Sequence, residues 1–214
     1  MILKEYEPEP MPLHEAEENL RVIRDLMERS TRYSTFSGLS GVSAGLVSII
    51  GCLVQKFWVL GLPAASQPVA FLLTWSIVVV LAIGIDFVLT KRRAPLVGKT
   101  INSHLGRQMF IASFPALFTG ALLTLFFLKH GLVDSVYPFW MLAYGIAVGG
   151  VGQFSQPEVS RLSRGFLAAG TLTFLLSYLP LGFTAGSVGL VMTAISFGGF
   201  HILYGLNVSR KGGW

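Results

Sequence analysis

Cysteine is nearly missing from this chain: Cys52 is the only one in 214 residues. An intrachain disulfide is therefore excluded, and cysteine usage gives no reading of redox compartment. Charge is scarce too, at 13% of residues, about half the roughly 25% usual in a soluble domain. Acidic residues almost vanish after position 35, where only Asp86, Asp134 and Glu158 remain. The four histidines (His14, His104, His130 and His201) do not cluster with the cysteine, which argues against a structural zinc site. A haem needs one or two histidines at suitable depth, and only His201 lies inside an apolar run. There is no glycine loop of Walker type, so nucleotide hydrolysis is excluded. No cofactor and no metal are expected.

What the chain has in quantity is long apolar runs. It is 52% hydrophobic, with a mean hydropathy of +0.64. Uncharged runs cover about 36–56, 68–90, 108–129, 136–154, 165–180 and 184–206. A helix needs roughly 20 apolar residues to cross about 30 Å of hydrocarbon. The last two runs have no charge between them, and Leu179-Pro180-Leu181-Gly182 marks the turn that divides them. The expected fold is an all-α membrane protein, a six-transmembrane-helix bundle over residues 34–208, preceded by a short cytoplasmic amphipathic helix.

Residues 1–12 are acidic and proline-rich, with Pro8, Pro10 and Pro12 among glutamates, which suits a flexible tail. A signal peptide would start basic and continue apolar; the first span is expected to direct insertion instead. Over residues 13–33, Leu13, Ala16, Leu20, Ile23 and Met27 recur at three- and four-residue spacing, which places them on one helix face. Glu17–Arg21, Arg24–Glu28, Asp25–Arg29 and Glu28–Arg32 are i,i+4 pairs on the other face. Three placements suit such a helix: against the membrane domain, against a protein partner or second copy, or on the lipid surface. Its mixed charge counts against the last.

Orientation follows from the basic residues. Lys4, Arg21, Arg24, Arg29 and Arg32 precede the first span. Lys91, Arg92, Arg93, Lys99 and Arg107 lie between the second and third, Arg161 and Arg164 between the fourth and fifth, and Arg210 and Lys211 in the tail over 209–214. Only Lys56 and Lys129 are left for the other side. The asymmetry places both termini in the cytoplasm by the positive-inside rule. Trp58, Tyr137, Trp140 and Tyr178 then form an outer aromatic belt. Lys91, Arg92 and Arg93 anchor topology and suit anionic headgroups, at about 1 kcal/mol per charge. Basic residues confined to loops do not make a nucleic-acid-binding face.

Small residues recur as Gly41-x3-Gly45, Gly145-x3-Gly149 and Gly182-x3-Gly186, spacings that let membrane helices approach closely within one bundle or across a homodimer seam. Asp86 is the only acid inside a span, and an intramembrane carboxylate is a candidate functional group. His201 is expected at the same depth, with Ser40, Gln153 and Tyr204 nearby along the membrane normal, so these five could converge in a pocket open to the cytoplasm. Gly38-Leu39-Ser40-Gly41 resembles the GxSG pattern of rhomboid intramembrane proteases. That family carries its serine in a late span, and the rest of its pattern is missing here.

The whole pattern resembles multi-pass bacterial inner-membrane proteins. The expected function is non-enzymatic: an accessory, sensor or regulatory subunit acting through residues 13–33. The alternative is a small transporter or channel using a polar site of Asp86 and His201.

Overall fold

The computed structural model describes residues 12–31, 37–93, 104–177, 179 and 185–211. The chain divides into two compact units, residues 1–32 and 33–214.

In the first unit, α1 runs over Leu13–Thr31. On its apolar face Leu13 is 84% exposed, Leu20 65% and Ile23 52%. Met27 and all but the first of the expected ion pairs involve side chains outside the described residues. The tail over 1–11 also lies outside them.

The second unit is helical, with no strand among the described residues. It comprises α2 (Gly38–Phe57), α3 (Gln67–Arg93), α4 (His104–Lys129), α5 (Val133–Gly152) and α6 (Pro157–Leu176). Then α7 (Ala185–Thr193), a π-helical segment (Ala194–Phe200) and α8 (His201–Arg210) follow one another without a break. Five helical stretches are long and apolar enough to cross a membrane: Gly38–Gly61, Gln67–Arg93, His104–Lys129, Val133–Gly152 and Ser187–Arg210. α6 is not among them, because Glu158, Arg161 and Arg164 occupy its first turns.

Helix ends depart from the hydropathy boundaries where charge is tolerated inside a helix. α3 continues through Lys91, Arg92 and Arg93, since cations suit a helix C-terminus. α6 starts at Pro157 rather than 165; proline is preorganised for the first helical position. α8 carries the helix through Arg210, into the segment expected to be a tail. The turn at Pro180-Leu181-Gly182 falls outside the described residues, as does Tyr178.

α2 packs against α3 on one side and against the π segment and α8 on the other, while α5 packs against α4, α6 and α7. Only 11% of the α3 and α4 spans is buried, against 44% for α2, so α3 and α4 are peripheral. Their outward residues, such as Val80, Ile83 and Phe110, are large, apolar and exposed. Exposed apolar residues of this kind suit a membrane-spanning helix.

Glycines set the closest approach. α2 and α8 are antiparallel, and a Cβ at Gly41 would stand 3.0 Å from Gly205 Cα. One at Gly45 would stand 2.5 Å from the Gly198 carbonyl oxygen. Between α5 and α6, a Cβ at Gly145 would meet Leu167 at 2.9 Å, and one at Gly149 would meet Ser163 Oγ at 2.9 Å. These glycines therefore face helices of their own chain. Gly182 lies outside the described residues, and Gly186 sits in the first turn of α7.

Of the aromatic residues expected at the outer interface, Tyr137 is 6% exposed and belongs to the core. Its ring meets Phe71 edge-on at 5.8 Å and covers Gly189. Trp140 is also turned inward, its indole N–H donating to Thr124 Oγ1 at 2.7 Å. Trp58 is exposed.

Candidate intramembrane polar site

His201 opens α8 directly after the π segment. Such segments are rare and are frequent at functional sites. Its ring is buried among Phe166 (centroids 5.4 Å), Phe197 (6.2 Å) and Tyr144 (5.4 Å). Nδ1 lies 2.9 Å from the Phe197 carbonyl oxygen, and Nε2 lies 2.7 Å from the Tyr144 hydroxyl. A carbonyl only accepts, so the pairing assigns the proton to Nδ1. Nε2 then accepts from the Tyr144 hydroxyl. Both nitrogens are occupied, and the ring is enclosed by aromatic side chains.

Asp86 is half-buried on α3. The Ser40 and Thr90 hydroxyls lie beside its carboxylate. Ser40 gives its single proton to the Ser37 carbonyl at 2.8 Å, as a serine in the first turn of a helix commonly does. Thr90 Oγ1 is buried, four residues along α3 from Asp86 and on its side of the helix. Asp86 also acts electrostatically on the phenols of Tyr144 and Tyr204. The Tyr204 ring rests over Gly41, where a Cβ would be 3.1 Å from Cδ1. Small residues on α2 thus make room for an aromatic on α8.

Three of the five residues singled out from the sequence, Ser40, Asp86 and Tyr204, therefore stand where α2 packs against α3 and α8, whereas the His201 ring turns to α5 and α6. Gln153 does not join them: it is the exposed cap at the end of α5. The sequence reading also missed Tyr144 and Thr90. A tyrosine in the middle of an apolar run was the available signal, because its hydroxyl needs a partner when buried. The direct partner of His201 is Tyr144, so a direct Asp86–His201 bond is not formed. Ser40 and His201 do not form a nucleophile–base pair either: Ser40 donates to the Ser37 carbonyl, and both His201 nitrogens have other partners. No group of three His, Cys, Asp or Glu side chains that could hold a metal occurs among the described residues.

At the basic end of the bundle, Glu158 in the first turn of α6 is bonded by the Lys211 ammonium, and Arg161 Nη1 lies 3.8 Å from the same oxygen. The Lys211 hydrogen bond holds the Glu158 carboxyl below the usual carboxylate range. Lys91 and Arg92 are exposed, whereas Arg93 is half-buried and acts electrostatically on Tyr204.

Compared with family models, curated proteins and solved structures, the chain finds no match.

Proposed function

We propose that this chain is a six-crossing bacterial inner-membrane protein with both termini cytoplasmic, acting without catalysis as an accessory or regulatory subunit through α1. The sixth crossing is the uncharged run over 165–180, most of which belongs to α6. The observation that carries the functional reading is the apolar face of α1, with Leu13, Leu20 and Ile23 exposed in a unit of its own. An amphipathic helix of this kind suits a hydrophobic groove on a protein partner. The polar groups of the bundle favour structure over transport. Ser48, Thr124, Thr173, Thr193 and Ser209 all donate to carbonyls one turn back in their own helices. They do not present a hydrophilic path.

The test is purification from the native membrane in a gentle detergent, with mass spectrometry of stoichiometric partners. Deleting residues 1–32, or changing Leu20 and Ile23 to Glu, should remove the partner while membrane insertion persists. Equal recovery with all three chains would defeat the reading.

A transport reading has one observation in its favour: Asp86 is a half-buried carboxylate on α3 with Ser40 of α2 and Thr90 beside it. It predicts that Asp86→Asn or His201→Ala abolishes proton-coupled flux in liposomes. Flux unchanged in both variants would remove it.

A further inference from the structure

Two hollows share Phe200 and Leu203 as a common wall on the outside of the bundle. The first, about 200 Å³, lies between α6 and α8 and is polar at its rim, with Glu158, Arg161, Tyr204 and Asn207. The second, about 490 Å³, is apolar throughout, walled by residues such as Ile49, Val191 and Ile195. Its floor is Gly199 in the π segment, where an added Cβ would meet nothing within 4 Å. From Asn207 to Val191 is 16 residues, about 24 Å of helix. One leaflet with its headgroups is about 20–22 Å thick.

We infer that this surface holds one anionic phospholipid, its phosphate at Arg161 and an acyl chain in the hollow over Gly199. Charge complementarity selects the headgroup. Lys211 neutralises Glu158, so the rim keeps the single positive charge of Arg161, matching a monoanionic phosphodiester. The Arg161 side chain is 68% exposed, and its Nη1, at 3.8 Å from Glu158, is beyond direct hydrogen-bond distance. Its planar fork fits two phosphate oxygens. The shape selects the tail: in a helix face otherwise crowded with Ile, Leu and Phe, the missing side chain at Gly199 leaves a trough open to lipid. This inference depends on the chain lying in a bilayer and not on the role proposed for α1.

The test uses the full chain, purified in mild detergent and titrated with dioleoylphosphatidylglycerol, with retained lipid counted by native mass spectrometry. The wild-type protein should retain one molecule. Dioleoylglycerol, with the same chains and no phosphate, should be retained about ten-fold less, the size of one charge-assisted hydrogen bond. Gly199→Leu should fill the trough and abolish retention, whereas Gly84→Leu, at another open glycine, should not. Arg161→Glu should lower retention of the phosphatidylglycerol by about ten-fold or more and leave that of dioleoylglycerol unchanged. Arg161 is on the surface, so its variant remains informative should Gly199→Leu fail to fold. The inference is overturned if the wild-type protein retains no lipid, if both lipids are held equally, or if folded Gly199→Leu or Arg161→Glu protein holds phosphatidylglycerol as the wild type does.

Discussion

Replacing Gly45 by alanine tests whether the glycines of α2 serve the chain's own packing. The new methyl carbon would stand 2.5 Å from the Gly198 carbonyl oxygen, 2.6 Å from Ile202 Cγ1 and 3.1 Å from the Ile202 nitrogen. Two of these three atoms are backbone, so rotation of one side chain cannot relieve the clash. α2 and the π segment must separate, and overpacking of this kind costs about 1–3 kcal/mol. Alanine is a better helix former than glycine by roughly 0.5–1 kcal/mol, which offsets only part of that. Gly84→Ala is the reference, because a Cβ there meets nothing within 4 Å and only the helix gain applies. The two variants should differ by about 2 kcal/mol, or about 4–8 °C in melting temperature for a chain of this length. Thermal unfolding of both proteins in the same detergent measures this, with oligomeric state followed by light scattering. A homodimer seam at Gly45 predicts something else: the alanine variant would lose its dimer while the monomer melts like Gly84→Ala. If the two variants melt together, the packing argument is wrong.

Tyr144→Phe keeps the ring and removes the donor to His201 Nε2, so no cavity opens but a buried acceptor loses its partner, at a cost of about 1–3 kcal/mol. Unfolding in detergent should show that loss, and imidazole nitrogen shifts should report the change at Nε2 while Nδ1 remains protonated. Acid should weaken the contact between α6 and the end of α8. The Glu158 carboxyl is held below its unfolded value by Lys211, so its stabilisation is complete above the unfolded value of about 4.3. It is lost as pH falls through the lower folded value. Melting curves of wild type and Glu158→Gln should therefore differ at neutral pH and converge at low pH. A gap that persists unchanged to low pH would show that the ion pair is not its source.

Much of the architecture was legible because apolar length is a one-dimensional property. Five of the spans read from hydropathy correspond to helices long enough to cross a membrane, and their errors lie at the ends. There, Lys91–Arg93 continue a helix and Pro157 starts one. α6 was harder for the same reason: an apolar window cannot see a helix that begins with Glu158, Arg161 and Arg164. The π segment left no trace in the sequence, since Ala194–Phe200 reads as ordinary helix. Facing was legible only in part. Asp86 and Ser40, expected at one depth, do lie together, but Gln153, expected at a similar depth, ends up exposed.

His201 shows why depth alone does not fix a contact. Among polar residues at one level of a bundle, the one that reaches the histidine is fixed by rotation about each helix axis, and that is set by the closest packing surfaces. Gly41, Gly45, Gly198 and Gly205 press α8 against α2, while His201 meets Tyr144 on α5 and the same α8 lays Tyr204 over Gly41. One helix thus supplies a group to each of two neighbours, His201 to α5 and Tyr204 towards Asp86. The glycines on α2 and α8 are therefore part of the polar site although they carry no polar atom. A substitution that widens this contact should disturb the Tyr144–His201 bond from the opposite side of α8. Gly45→Ala should accordingly move the His201 Nε2 resonance towards its position in Tyr144→Phe, and an unmoved resonance would show that helix packing and the polar pair are independent.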